Sequence, residues 1–228
     1  FLLFSFMACD FFVTSWGSGM QRDLNAALKN ESTGDLAKLA KDPNYVGDPE
    51  AARFLLNALS DKTKDEIESL SLNEKENILA LALTATIPMD AISEVLKAAE
   101  NGEEGSQEEL FNALMDSITD FDTTVLQAIL NDEDALESAS PESLVSASLA
   151  LVAQVMKREG ENLNFDDLAD LFNDDNDGVD ISPESKADIE AVKAVLDLFD
   201  EGGKRSDEEL TLFGLSLEDY LKVKNEKI

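Results

Sequence analysis

Residues 140–152 read Ser-Pro-Glu-Ser-Leu-Val-Ser-Ala-Ser-Leu-Ala-Leu-Val. Proline at the first helical position marks a helix start, because the first-turn N–H that proline lacks has no partner inside the helix anyway and the fixed φ suits the helix. The same signal stands at Asp48-Pro49, Ile87-Pro88 and Ser182-Pro183. Ser-x-x-Glu capping boxes are present at Ser106/Glu109 and Ser206/Glu209, where the hydroxyl accepts a free N–H and the glutamate reaches back. Downstream of these starts apolar residues recur three and four apart, and strand-like alternation is scarce. Helices are expected to begin near 49, 73, 88, 107, 123, 141, 165, 183, 207 and 217, with Gly102, Gly105, Gly160 and Gly202-Gly203 at their ends. The fold class is therefore all-α, a helical bundle or short α-solenoid of about ten helices.

Two internal matches suggest loosely repeated halves, 48–105 and 106–228, within an acidic all-helical domain spanning 21–228. Phe54-Leu55-Leu56-Asn57-Ala58-Leu59 pairs with Glu109-Leu110-Phe111-Asn112-Ala113-Leu114, and Leu79-Ala80-Leu81-Ala82 pairs with Leu149-Ala150-Leu151-Val152. Chance likeness between amphipathic helices is the competing explanation. The tetratricopeptide pattern is absent.

The chain has 228 residues, 18 Lys and Arg against 49 Asp and Glu, a formal net charge of −31 and no His. A surface this negative repels a phosphate backbone, so no nucleic-acid partner is expected. Imidazole catalysis and His-ligated zinc are excluded, and the single Cys excludes an internal disulfide. From Ala98 through Met156 there is no Lys or Arg, while 13 acidic residues fall there. A solvated acidic surface explains that run, with a face for a cation or a basic partner as the alternative. At 43% hydrophobic with 12 Phe, the chain still fills a core.

The N-terminus has a different character. Phe1 to Ala8 (FLLFSFMA) is apolar apart from Ser5, leads into Cys9, and is followed by the Ser/Gly/Thr-containing stretch Thr14 to Gly19. The run is shorter than the about 20 apolar residues of a membrane span and fits the about 7–15 of a signal h-region. Phe6-Met7-Ala8-Cys9 resembles the lipobox of bacterial lipoproteins, with Phe6 where Leu is commonest and Met7 where a small residue is usual. The resemblance implies residues 1–8 as a signal-peptide remnant, lipidation of Cys9, 9–20 as a tether, and a lipid anchor in the bacterial cell envelope, facing periplasm or exterior. A buried apolar segment with an incidental core Cys is the other reading.

Asn173-Asp174-Asp175-Asn176-Asp177-Gly178-Val179-Asp180-Ile181-Ser182-Pro183-Glu184 resembles an EF-hand-type calcium loop. Oxygens at 173, 175 and 177 alternate so as to converge on one hard cation, and glycine permits the turn. The family pattern then implies Asn173, Asp175, Asp177, the Val179 carbonyl and Glu184 as ligands of Ca²⁺. Position one is Asn, and the apolar residue expected at position eight is Asp180, with Ile181 one place late. Shifting the register to Ile181 would put Ser185 at position twelve. An Asn/Asp/Gly turn between helices is the alternative.

Carboxylate pairs such as Asp65 and Glu66, or Asp166, Asp167 and Asp170, arise from abundance alone, and none is marked by an apolar neighbourhood that would raise its pKa. Phosphate-cradling glycine loops are absent; Gly202-Gly203-Lys204 lacks the spacing and the preceding strand. No enzyme is expected. The function expected is a lipid-anchored helical binding or scaffold lipoprotein with another protein as partner. Alternatives are a calcium-binding module using 173–184 or, on likeness of architecture to the helical T components associated with TRAP transporters, an accessory of a solute transport system.

Overall fold

Helix α3 (Pro49–Ser60) shows how this sequence makes its elements. Asp48 takes the N-cap, its carboxylate accepting from Glu50 N at 2.9 Å and Ala51 N at 3.1 Å, and Pro49 occupies the first turn. Ala52, Leu55, Leu56 and Leu59, spaced three and four apart, are then carried into the core. The computed structural model describes residues 27–86, 118–160, 163, 171–172, 180–200, 202–206, 211–212 and 215–216. Around α3 stand α1 (Thr33–Leu39), α2 (Pro43–Val46), α4 (Lys64–Glu68), α5 (Leu72–Thr86), α6 (Thr124–Leu130), α7 (Glu133–Ser138), α8 (Pro141–Glu159) and α9 (Pro183–Phe199).

The protein is an all-α helical bundle. Its main helices pack in the order α3, α5, α8, α9, with α6 bridging α9 back to α3 and α5 and with α7 lying on α5 and α6. One core runs through both candidate halves, from Leu36 and Leu55 through Leu79 to Leu151 and Val195. Leu79–Ala82 and Leu149–Val152, matched in the sequence, lie on α5 and α8, which pack against each other. The other match partner, 109–114, falls outside the described residues.

Helix α8 is buried almost all round. From Ser143 to Met156 only Leu149 is not buried, and the small residues Ser146, Ala147, Ser148, Ala150 and Ala153 leave room for neighbours on several sides. Ser148 Oγ is buried without a hydrogen-bond partner among the described residues.

Helices starting at Pro49, Pro141 and Pro183 fall where the proline signals put them, and those expected near 73 and 123 begin at Leu72 and Thr124. Gly160 (φ 57°) and Gly202 (φ 95°) take the left-handed backbone that ends α8 and follows α9. Four short helices, α1, α2, α4 and α7, carry no sequence expectation, because elements of one or two turns show periodicity only weakly. Two capping boxes do form beyond those singled out, Thr63/Glu66 at α4 and Ser71/Glu74 at α5. The starts near 88, 107, 165 and 217 and the box at Ser106/Glu109 lie outside the described residues.

The helix expected from 207 is corrected by the structure. Strand β1 (Thr211–Leu212) pairs antiparallel with β2 (Leu215–Ser216), Leu212 opposite Leu215, so no helix runs through 211–216. Only Phe213 and Gly214 separate the strands, and a glycine in a two-residue connection is the signal that outweighs the Ser206/Glu209 box. The backbone of β1 lies beside α8.

Ion pairs tie the helices together. Lys75 on α5 is buried, donating to Asp132 Oδ2 at 2.6 Å and to Glu68 O at 2.8 Å, so one ammonium joins α4, α5 and the start of α7. The loop after α9 folds back on α7: Lys204 bridges Glu133 and Glu137, while Arg205 donates to the Ala139 carbonyl at 2.6 Å and stacks over Phe199. Gly202-Gly203 lies in this reversal, where Gly203 N donates to the Asp200 carbonyl at 2.8 Å and Arg205 N to the Leu198 carbonyl at 2.9 Å. A Cβ on Gly203 would lie 2.4 Å from the carbonyl oxygens of Asp197 and Leu198, a distance real Cβ atoms do not tolerate. Gly203→Ala is therefore expected to destabilise the fold toward the upper end of the about 1–3 kcal/mol typical of overpacking. The check is urea unfolding, and an unchanged midpoint would show that this backbone yields at no cost.

Candidate functional site

The densest set of buried polar side chains among the described residues lies where α6, α8 and α9 meet. Basic Arg158 ends α8, where a cation suits the helix C-terminus, and Glu159 follows it. Helix α9, capped by Ser182, places Ser185, Asp188, Ile189, Val192 and Val195 on its inner stripe. Two polar residues thus enter an apolar face, and both are completely buried.

Both find partners on α6 and α8, and Arg158 bonds to each of them. Asp188 Oδ1 accepts from Gln127 Nε2 at 2.7 Å and Asp188 Oδ2 from the Arg158 guanidinium at 3.0 Å, with the Thr123 hydroxyl contributing. Arg158 also donates to Ser185 Oγ at 3.0 Å. Glu159 Oε1 accepts from Ser182 N at 3.1 Å, from Ser182 Oγ at 2.7 Å and from Ser185 Oγ. Burial pushes the Asp188 carboxyl above its ordinary value, against the pull of Gln127, Thr123 and Arg158. For Glu159 burial also pushes upward, but the bonds from Ser185 and Ser182 outweigh it and hold the carboxyl below its usual range.

The carboxylate pairs weighed in the sequence do not include the one that stands in an apolar setting. That one is Asp188, and the signal was present: Ser185 and Asp188 fall on the same helical stripe as Ile189, Val192 and Val195. Of Asp65 and Glu66, the second serves the cap of α4 through Thr63 and also accepts from Thr33 Oγ1. Asp166, Asp167 and Asp170 lie outside the described residues.

Chemically the junction is a joint. Ser182 and Ser185 both direct their hydroxyls at Glu159, and the buried Asp188 is fully engaged. A parallel device holds the start of α8, where Ser140 N donates to Glu76 of α5 at 3.2 Å and Ser140 Oγ to Ser143 Oγ at 2.9 Å. Both helices open on Ser-Pro-Glu-Ser, at 140–143 and 182–185, and each start is received by a glutamate from the helix packed beside it.

Of the residues expected to form sites, Cys9, Asn173, Asp175, Asp177 and Val179 lie outside the described residues. Glu184 stands exposed in the first turn of α9. Ile181 is buried and Asp180 exposed, and Ser185, the alternative twelfth position, is engaged with Glu159. Among the described residues no three carboxylate, His or Cys side chains gather as metal ligands, and no helix is long and apolar enough to cross a membrane.

Removing one partner of a buried ion pair costs about 3–5 kcal/mol, and Arg158→Met should fall toward the low end because the arginine is 27% exposed. The pH dependence follows from the opposed shifts. Asp188 holds its proton more tightly folded than unfolded, so its stabilising contribution is complete below the unfolded value near about 3.9 and is lost as pH rises through the folded value. Glu159 acts oppositely, contributing above its unfolded value and losing that as pH falls through the folded one. The stability difference between wild type and Asp188→Asn should therefore be larger near about pH 4 than near about pH 7. Urea unfolding at both pH values reads it, and a difference that grows with pH would contradict the burial argument.

No family model, curated protein or solved structure matches the chain.

Proposed function

We propose that the chain is a lipid-anchored helical binding or scaffold lipoprotein of the bacterial envelope, acting through a protein-binding surface on its bundle. The observation that carries this is the apolar run Phe1 to Ala8 ending at the only cysteine, Cys9, with a Ser/Gly/Thr-containing stretch between it and the helical body. Acylation there would supply about 0.8 kcal/mol per buried CH₂, and two or more chains make anchoring stable. The acidic composition supports the reading too, since like charge keeps such a domain off anionic lipid and nucleic acid and leaves it free to meet a protein partner. Cys9→Ser is expected to move the protein to the soluble fraction or leave an unprocessed precursor, read by fractionation and intact mass. Unchanged membrane retention with normal maturation would overturn the anchor.

A second reading is a calcium-binding module built on the loop at 173–184. It is favoured by the exposed position of Glu184 in the first turn of α9, the place a bidentate twelfth ligand takes. Asn173, Asp175, Asp177 and the Val179 carbonyl would complete an oxygen set suited to calcium and unsuited to zinc. Calorimetry should find one weak site, of about 10⁻⁴ to 10⁻³ M, that vanishes in Asp175→Ala with Asp177→Ala. Absence of heat at millimolar calcium would leave the loop as a turn.

A further inference from the structure

Residues 202–206, Gly-Gly-Lys-Arg-Ser, follow α9 and lie against α7, and none of the five is buried. Lys204 reaches Glu133 and Glu137, which stand one turn apart on α7. Arg205 sits 4.8 Å from the centre of the Phe199 ring and donates to the Ala139 carbonyl just past the end of α7 at 2.6 Å. Two glycines make this placement possible. Gly202 takes the left-handed backbone, and Gly203 packs so closely on the last turn of α9 that no side chain fits there.

These two cations are the only ones between Lys193 and Lys222, and Asp200, Glu201, Asp207, Glu208 and Glu209 flank them in the chain. Helix α7 offers Glu133, Asp134 and Glu137 and no base of its own. With the Lys204 charge removed, an acidic stretch of chain faces an acidic helix, and the interaction between them turns from attraction toward repulsion. Side chains 202–206 have no buried apolar contact to resist that change, which is the condition under which a segment opens by itself while the core stays folded. The same segment leads on to β1, whose backbone lies beside α8. We infer that residues 202–206 form a charge-operated clasp: with Lys204 charged the chain after α9 is closed on α7, and with that charge neutralised it opens while the bundle stays folded. Opening frees the carboxylates of Glu133 and Glu137 and the Ala139 carbonyl. The inference is independent of the anchor at Cys9 and of the loop at 173–184.

Hydrogen exchange read by mass spectrometry on the full chain tests it. At low salt, Lys204→Gln should exchange about three-fold or more faster than wild type over 202–212, the scale on which exposed ion pairs act, with 72–86 and 143–156 unchanged. Lys204→Arg should match wild type. Raising salt from about 10 mM to about 1 M shortens the screening length from about 30 Å to about 3 Å, so it should slow the strap of Lys204→Gln back toward wild type by screening the repulsion. Glu133→Gln with Glu137→Gln removes the partners without altering the strap's own sequence and should also quicken its exchange. A strap as protected in Lys204→Gln as in wild type overturns the clasp. So does loosening of equal size in Lys204→Arg, which would assign the hold to packing of the stem, or loosening shared equally by α5 and α8, which would make the opening global.

Discussion

Helix α8 has to be covered on nearly every side, and the fold follows from how that is done. A long helix whose small residues sit between leucines and valines cannot leave a face in water, so α5 and α9 flank it and β1 lies along it. Truncating a fully buried side chain such as Leu151 would lose about 2–5 kcal/mol, a large share of the stability of a domain this size. Covering α8 also fixes where its ends emerge. The C-terminal turn, with Arg158 and Glu159, meets the beginning of α9, and Gln154 meets the segment entering α6.

Charge sets the second constraint. With 18 cations against 49 anions, repulsion works against any compact state. Basic residues are accordingly found at joints between elements: Lys75 at the meeting of α4, α5 and α7, Arg158 between α8 and α9, and Lys204 with Arg205 on α7. Lys62 likewise donates to the Glu31 carbonyl at 2.7 Å, tying the turn after α3 to the chain before α1. Exposed pairs within one helix, such as Lys38 with Asp35 or Lys64 with Glu68, add little by comparison.

Buried polar side chains form the third layer, and they divide into two kinds. At the α8–α9 joint, Asp188, Arg158, Ser185 and Glu159 satisfy one another and close the cluster. Beside α3 and α8, Gln154, Asn57 and Ser60 satisfy main chain that belongs to a segment without secondary structure of its own. The first kind fixes the angle between two helices, since breaking any bond leaves a buried group unpaired. The second holds the main chain of the connection that enters α6 in place.

The sequence by itself determined the all-α class, because proline starts, capping residues and apolar spacing are local signals that need no partner. It placed the beginnings of α3, α8 and α9 and the first-turn position of Glu184 for the same reason. It also carried the stripe that holds Asp188, although abundance of carboxylates hid it among many others. Only the tertiary structure decided that this one is buried, that Arg158 meets it from another helix 30 positions away, and that Glu76 and Glu159 receive the two Ser-Pro-Glu-Ser starts. It decided as well that residues 211–216 pair as strands and that Gln154 reads the main chain 35 positions before it. Such contacts join residues far apart in the chain, and no local propensity encodes them, since each partner is specified only once the helices that carry it have packed.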